Sequence, residues 1–300
     1  MAWGHPDFRG DGRTVAVTPK NLDFSTKNKK NSQTNFMSIQ IIVPLLIGLL
    51  AGWLVNYLAD VLPHTRRFSQ PTCLRCQAPF SLGKFLSLGA CPSCGKIRPL
   101  RTWIVQVVAI ASSLYLWFYP HEALGYWIGF LILVYFAVVF VIDLEHRLIM
   151  HPVSIVGAFI GLGVGIYLNG ILSTLLGGLG GFGIMLVFYL FGVLFARYRE
   201  RKMVAAGQEP DDEEALGAGD VILAAVLGLF LGWPLIWFGL LVGILLGGFI
   251  TIPMLLIMLI ARRYKEDALM VFIPYGPFFL MSATLIIFYL PKLLSVLVPK

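Results

Sequence analysis

Eight apolar stretches, each near the length of a bilayer crossing, divide this 300-residue chain. They fall at about 38–61, 103–119, 124–143, 152–168, 171–196, 218–232, 234–261 and 271–290. A membrane helix takes about 20 apolar residues. The row therefore predicts an all-α polytopic membrane protein of about eight transmembrane helices. Composition agrees: 13% of residues are charged, against about 25% in soluble domains. A soluble enzyme, a disordered protein and a coiled coil are excluded. Of the 16 acidic residues, all but Asp60, Asp143 and Asp220 lie in tails and loops. A carboxyl at membrane depth costs about 2.5–3.5 kcal/mol on insertion scales, so these three are candidates for function.

The formal charge of +7 reads as loop topology rather than nucleic-acid binding. Arg66, Arg67, Arg75, Lys84, Lys96, Arg98 and Arg101 crowd residues 62–102, which hold no acid. Arg147 sits in the 144–151 turn, Arg197, Arg199, Arg201 and Lys202 open the 197–217 loop, and Arg262, Arg263 and Lys265 follow the seventh stretch. Residues 120–123, 169–170 and 233 carry no Lys or Arg. Eight spans place all the basic loops in the cytoplasm and both termini outside. The first 37 residues are basic and polar, against that rule. They read as a disordered extension without the apolar core of a signal peptide. Met37, just before the first stretch, reads as the natural start.

Cys73-Leu-Arg-Cys76 and Cys91-Pro-Ser-Cys94 form two C-x2-C pairs within the 62–102 loop. Each pair sets two thiolates on one tight turn, and two turns complete a four-cysteine site for a structural zinc. Disulfides and free thiols are the alternatives, and disulfides seldom persist in the cytoplasm. The basic loop also suits anionic lipid or an acidic partner.

Asp143 ends the third stretch and Asp220 opens the sixth, so the topology puts both at one depth. Two close carboxyls share a proton, giving a general base that activates water and a general acid that polarises a carbonyl. Gly217 and Gly219 remove side-chain bulk before Asp220, so a substrate backbone can approach. A lone aspartate would more simply anchor a helix end. Asp60, four residues after Asn56, reads that way, as a local ion pair near Arg66. Gln106 reads as an interhelical hydrogen-bonding group, and His146 and His151 as interfacial residues. The run Ile273-Pro274-Tyr275-Gly276-Pro277-Phe278 breaks the start of the last stretch, which protein or a cavity must cover. The glycine run Gly177–Gly181 suits close helix packing. The acidic run Glu209–Glu214 reads as a solvated loop.

Taken in order, these motifs resemble the type IV prepilin peptidases, bacterial membrane aspartyl proteases of the Gly-x-Gly-Asp class. The likeness covers about 37–290. It rests on Gly48–Asn56, Leu62-Pro63, the two cysteine pairs, Asp143 with Pro152, Gly217-Ala-Gly219-Asp220-Val, and Ile273–Phe278. The resemblance implies catalytic aspartates at Asp143 and Asp220, support from Gly217, Gly219, Pro274 and Gly276, and zinc on Cys73, Cys76, Cys91 and Cys94. It also implies cleavage of short basic leaders from prepilins and pseudopilins at the cytoplasmic face of the inner membrane, serving type IV pili or type II secretion. Many members also N-methylate the new terminus with S-adenosylmethionine. Departures are Ile222 for a common Lys, Gln106 for a common Glu, and Asp60-Val61 for an Arg before Leu62-Pro63. They bear on methylation and substrate preference. An inactive homologue, and a zinc-ribbon scaffold or cation transporter, are the other readings. The expected divisions are an extension (1–37), a first helix (38–61), a cysteine loop (62–102), a peptidase helical domain (103–290) and a tail (291–300).

Overall fold

The computed structural model describes residues 22–73, 75–205, 217–260 and 274–297. They form nine helices: α1 (Leu22–Thr65), α2 (Leu82–Leu86), α3 (Leu100–Phe118), α4 (Gly125–His146), α5 (His151–Asn169), α6 (Ile171–Ala205), α7 (Ala218–Leu231), α8 (Leu235–Ile260) and α9 (Gly276–Leu297). Apart from α2, each coincides with an expected span. Six segments, in α1, α3, α4, α5, α6 and α8, are long and apolar enough to cross a membrane; Ala218–Leu231 and Gly276–Leu290 are shorter apolar helices. The protein is a multi-pass helical membrane protein. Among the described residues there are isolated bridges but no strands.

The first helix begins at Leu22, earlier than the expected 38. Adding residues to a formed helix is far easier than nucleating one, so an apolar span can carry a polar extension. The expected acidic loop at 209–214, the basic residues 262–265 and Ile273 lie outside the described residues. Residues 1–44 and 45–300 form separate compact units, and the account below concerns the second.

Burial sorts the helices. Val221, Leu223, Ala224, Val226, Leu227, Phe230 and Leu231 make α7 buried nearly all round, as an apolar helix without a polar face must be. Its Phe230 stacks on Tyr135 of α4, with ring centroids 6.0 Å apart, and meets Phe136 edge-on at 5.3 Å. Phe279, Leu280 and Ala283 of α9 join the same core. Outer faces of α5, α6 and α8 leave large apolar side chains exposed, Phe159, Leu172, Phe191 and Phe249 among them. Such a surface suits lipid rather than water.

The glycine run on α6 lets α6 and α7 touch backbone to backbone. A Cβ at Gly228 would strike the Gly177 carbonyl, and one at Gly177 would strike the Gly228 carbonyl. Gly228→Val is therefore expected to destabilise the protein by about 1–3 kcal/mol, the usual cost of overpacking. Gly183→Val, where a Cβ meets nothing within 4 Å, should change little. Thermal unfolding of the two variants in detergent measures the difference.

Candidate active site

Asp143 lies in the last turn of α4. The Arg147 amide donates to the Asp143 carbonyl at 2.8 Å, and Arg147, in the left-handed region at φ 50°, ends the helix there. The Asp143 side chain is buried at 4% exposure, and its Oδ2 has no hydrogen-bond partner. Asp220 lies in the first turn of α7, behind the N-cap Gly217, whose carbonyl accepts from the Asp220 amide at 3.0 Å. The positive end of the helix dipole favours a carboxylate in that turn. The two carboxyls are close enough to interact directly through their charges.

The glycines of the two motifs act on this pair. Gly276 opens α9, and a Cβ there would run into the Asp143 carboxylate, with Leu223 of α7 at 3.3 Å. A bare backbone thus lies over Asp143 where α4, α7 and α9 meet. Gly219 has a role the sequence did not reveal: its missing Cβ is taken by Ile149, which would stand 2.9 Å away. It brings the start of α7 against the α4–α5 turn rather than clearing a path for substrate. A Cβ at Gly217 would have only Asp220 Oδ2 and the Gly219 amide nearby, both at 3.9 Å. Pro274 is half-buried just ahead of Gly276, and the Tyr275 carbonyl accepts from the Phe278 and Phe279 amides.

Asp60 pairs with Arg98 and Arg101 from the far end of the cysteine loop, not with Arg66, which is exposed. An ion-pair role is right, but its partners are distant in sequence. Arg98, Arg101 and Glu145 belong to this network. Sequence reasoning counted the two arginines only as loop charge, and nothing in their spacing marks them. Deeper between α1 and α3, Gln106 fills the space over Gly52 and its amide donates to the Leu49 carbonyl at 2.9 Å. Asn56 donates to the Thr102 carbonyl at 3.2 Å. Oδ1 of Asn56, Oγ1 of Thr102 and Oε1 of Gln106 are buried without partners. All three are neutral oxygens, and the nearby Asp60 is already held by two arginines.

The two cysteine turns repeat one geometry. The Gln77 and Gly95 amides donate back to the Cys73 and Cys91 carbonyls at 2.9 Å, and the Cys73 and Cys91 amides donate to Ala78 and Lys96, also at 2.9 Å. Gln77 (φ 55°) and Gly95 (φ 65°) occupy the left-handed region at the same place in each turn. The amides of Cys76 and Arg75 hold the Cys73 thiol down to about 6; those of Cys94 and Ser93 lower Cys91, though its burial opposes them. All four sulfurs lie within 4.8 Å of one another, with Cys73–Cys94 at 3.8 Å and Cys76–Cys91 at 3.6 Å. Tetrahedral zinc–sulfur bonds of about 2.3 Å set sulfur–sulfur edges of about 3.8 Å. The four cysteines therefore fit a metal ion held by thiolates, which would close the loop without an open coordination position.

One buried and one partly buried carboxyl, within charge range of each other, thus lie on two membrane helices. Residues 127–252, which include both aspartates, match the family model described as the type IV leader peptidase family. Over that segment the chain is similar to the type IV leader peptidases. No curated protein matches the chain, and no solved structure does.

Removing the loop's metal-binding capacity is expected to be visible directly. Purified protein should carry about one metal ion per chain by elemental analysis, lost when Cys73 and Cys91 are both changed to Ser.

Proposed function

We propose that this protein cuts the short basic leaders of prepilins and pseudopilins at the cytoplasmic face of the bacterial inner membrane, with Asp143 and Asp220 as its catalytic dyad. The observation that carries the reading is the buried Asp143 carboxyl, whose Oδ2 has no hydrogen-bond partner, within charge range of Asp220 and inside the leader-peptidase segment. The ionised carboxyl takes a proton from water as the water oxygen bonds to the scissile carbonyl carbon. The protonated carboxyl donates to the carbonyl oxygen. Collapse of the resulting diol breaks the C–N bond, and the proton taken from water passes to the leaving amine. No covalent enzyme intermediate is needed.

The surroundings support a membrane-borne substrate. An apolar groove of about 400 Å³ runs along α4 from Phe130 to Val141, two residues before Asp143, with Leu280 and Met281 of α9 among its lining residues. The orientation rests on the basic residues of the cysteine loop, the turn after α4 and the end of α6, which flank the helix ends that bear the two aspartates. In the four-cysteine loop, zinc is the ion that thiolate-only tetrahedral ligation favours, and its role there is structural.

Asp143→Asn and Asp220→Asn are each expected to abolish cleavage of a co-expressed prepilin while the protein still inserts. Mass spectrometry of the pilin N-terminus reads the result, together with any methyl group on the new terminus. Near-full processing by either variant would leave the inactive-homologue or scaffold reading in its place. Gly276→Ala, which pushes a methyl into the Asp143 carboxylate, should lower the cleavage rate about a hundredfold, the scale of a small displacement of a reacting group.

A further inference from the structure

Four charged side chains connect the cysteine loop to the helix end that carries Asp143. Arg98 lies with its guanidinium over the rings of Phe85 and Phe80, 4.0 and 4.9 Å from their centroids. Those rings form one small core with Cys73 and Cys91. Arg98 Nη1 reaches Asp60 Oδ2 at 3.4 Å, and Arg101 Nη2 pairs with the other Asp60 oxygen. Arg101 Nη1 then donates to Glu145 Oε2 at 2.6 Å. The side chains of Arg98, Asp60 and Arg101 are 6%, 7% and 14% exposed, and that of Glu145 is 33% exposed.

Such a network is a poor device for stability alone. Taking Arg98, Asp60 and Arg101 largely out of water carries a large desolvation cost, and apolar replacements of buried ion pairs are often as stable or more so. Here the compensation is incomplete: Nε of both arginines and Nη2 of Arg98 are buried without hydrogen-bond partners. What the network does is geometric. Arg101, in the first turn of α3, grips the end of α1 with one nitrogen and the last turn of α4 with the other. Helix ends fray, and Asp143 sits in that last turn, two residues before Glu145. Its Oδ2 has no hydrogen bond of its own, so the carboxyl's position depends on where the helix end is held.

We infer that Arg101 is a positioning residue for Asp143: through Glu145 it anchors the last turn of α4 to α1, and through Asp60 and Arg98 to the four-cysteine loop. The inference rests on the reading of Asp143 as catalytic. It assigns Glu145 a role through Arg101, not contact with substrate.

The test uses the full-length protein in nanodiscs, with steady-state kinetics on a prepilin substrate. Glu145→Ala removes the tie at a partly exposed site with the best helix former. It should lower kcat about tenfold and leave KM within about twofold, as expected when only the placement of the reacting group suffers. Melting temperature and metal content should match the wild type. Glu145→Gln, which still accepts a weaker hydrogen bond, should restore part of kcat. Arg101→Gln combined with Glu145→Ala should be no slower than Arg101→Gln alone, because both remove one interaction. Wild-type kcat in Glu145→Ala, with Asp143→Asn inactive, would overturn the anchoring role and leave the dyad standing. A kcat loss that comes with a lower melting temperature or lost metal would also overturn it, since the network would then only support the fold. Cleavage by Asp143→Asn would instead remove the reading beneath both.

Discussion

The cost of keeping a carboxyl among apolar helices governs this molecule. Asp143 is almost wholly enclosed, and an enclosed carboxyl either finds partners or gives up its charge. One oxygen here has no partner, and the nearest charge is another carboxyl. Shared protonation relieves such a pair, and it is the state that the proposed hydrolysis requires. The surroundings serve that arrangement. The start of α7 is pressed onto the α4–α5 turn by the missing side chain of Gly219, and the start of α9 is laid over Asp143 by that of Gly276. The two helices that carry the pair are among the most enclosed in the bundle, so water reaches the carboxyls only where the protein admits it.

The cysteine loop solves a different problem. Its core is little more than Cys73, Phe80, Phe85 and Cys91, with Tyr57 against it, too small to hold a loop of this length. Two turns of the same hydrogen-bonding pattern set four sulfurs at ion-binding separation, where a metal ion would supply the cohesion that apolar burial lacks. Because Arg98 lies on the rings of that core and on Asp60, the loop is fastened to the helices as well as to itself.

Much of this was legible in the residues. Span positions followed from length and apolarity, because lipid tolerates few other spanning structures. The cysteine turns followed from spacing, because two thiolates two residues apart already share a turn. Asp143 and Asp220 stood out because carboxyls are rare at that depth. Other features had no local signal. Asp60 finds Arg98 and Arg101 across 38 and 41 residues, whereas its nearer neighbour Arg66 points into solvent. The glycine before Asp220 looked like clearance for substrate and is clearance for Ile149.

By itself, the sequence determined the fold class, the eight apolar helices and the two chemically distinct clusters, since each depends on residue type and spacing within a short segment. Only the tertiary structure decided which backbone covers Asp143, which arginines hold Asp60, and how the end of α4 is tied to the cysteine loop. Those are contacts between helices far apart in the chain. They depend on side-chain packing and on the absence of single methyl groups, which no local pattern encodes.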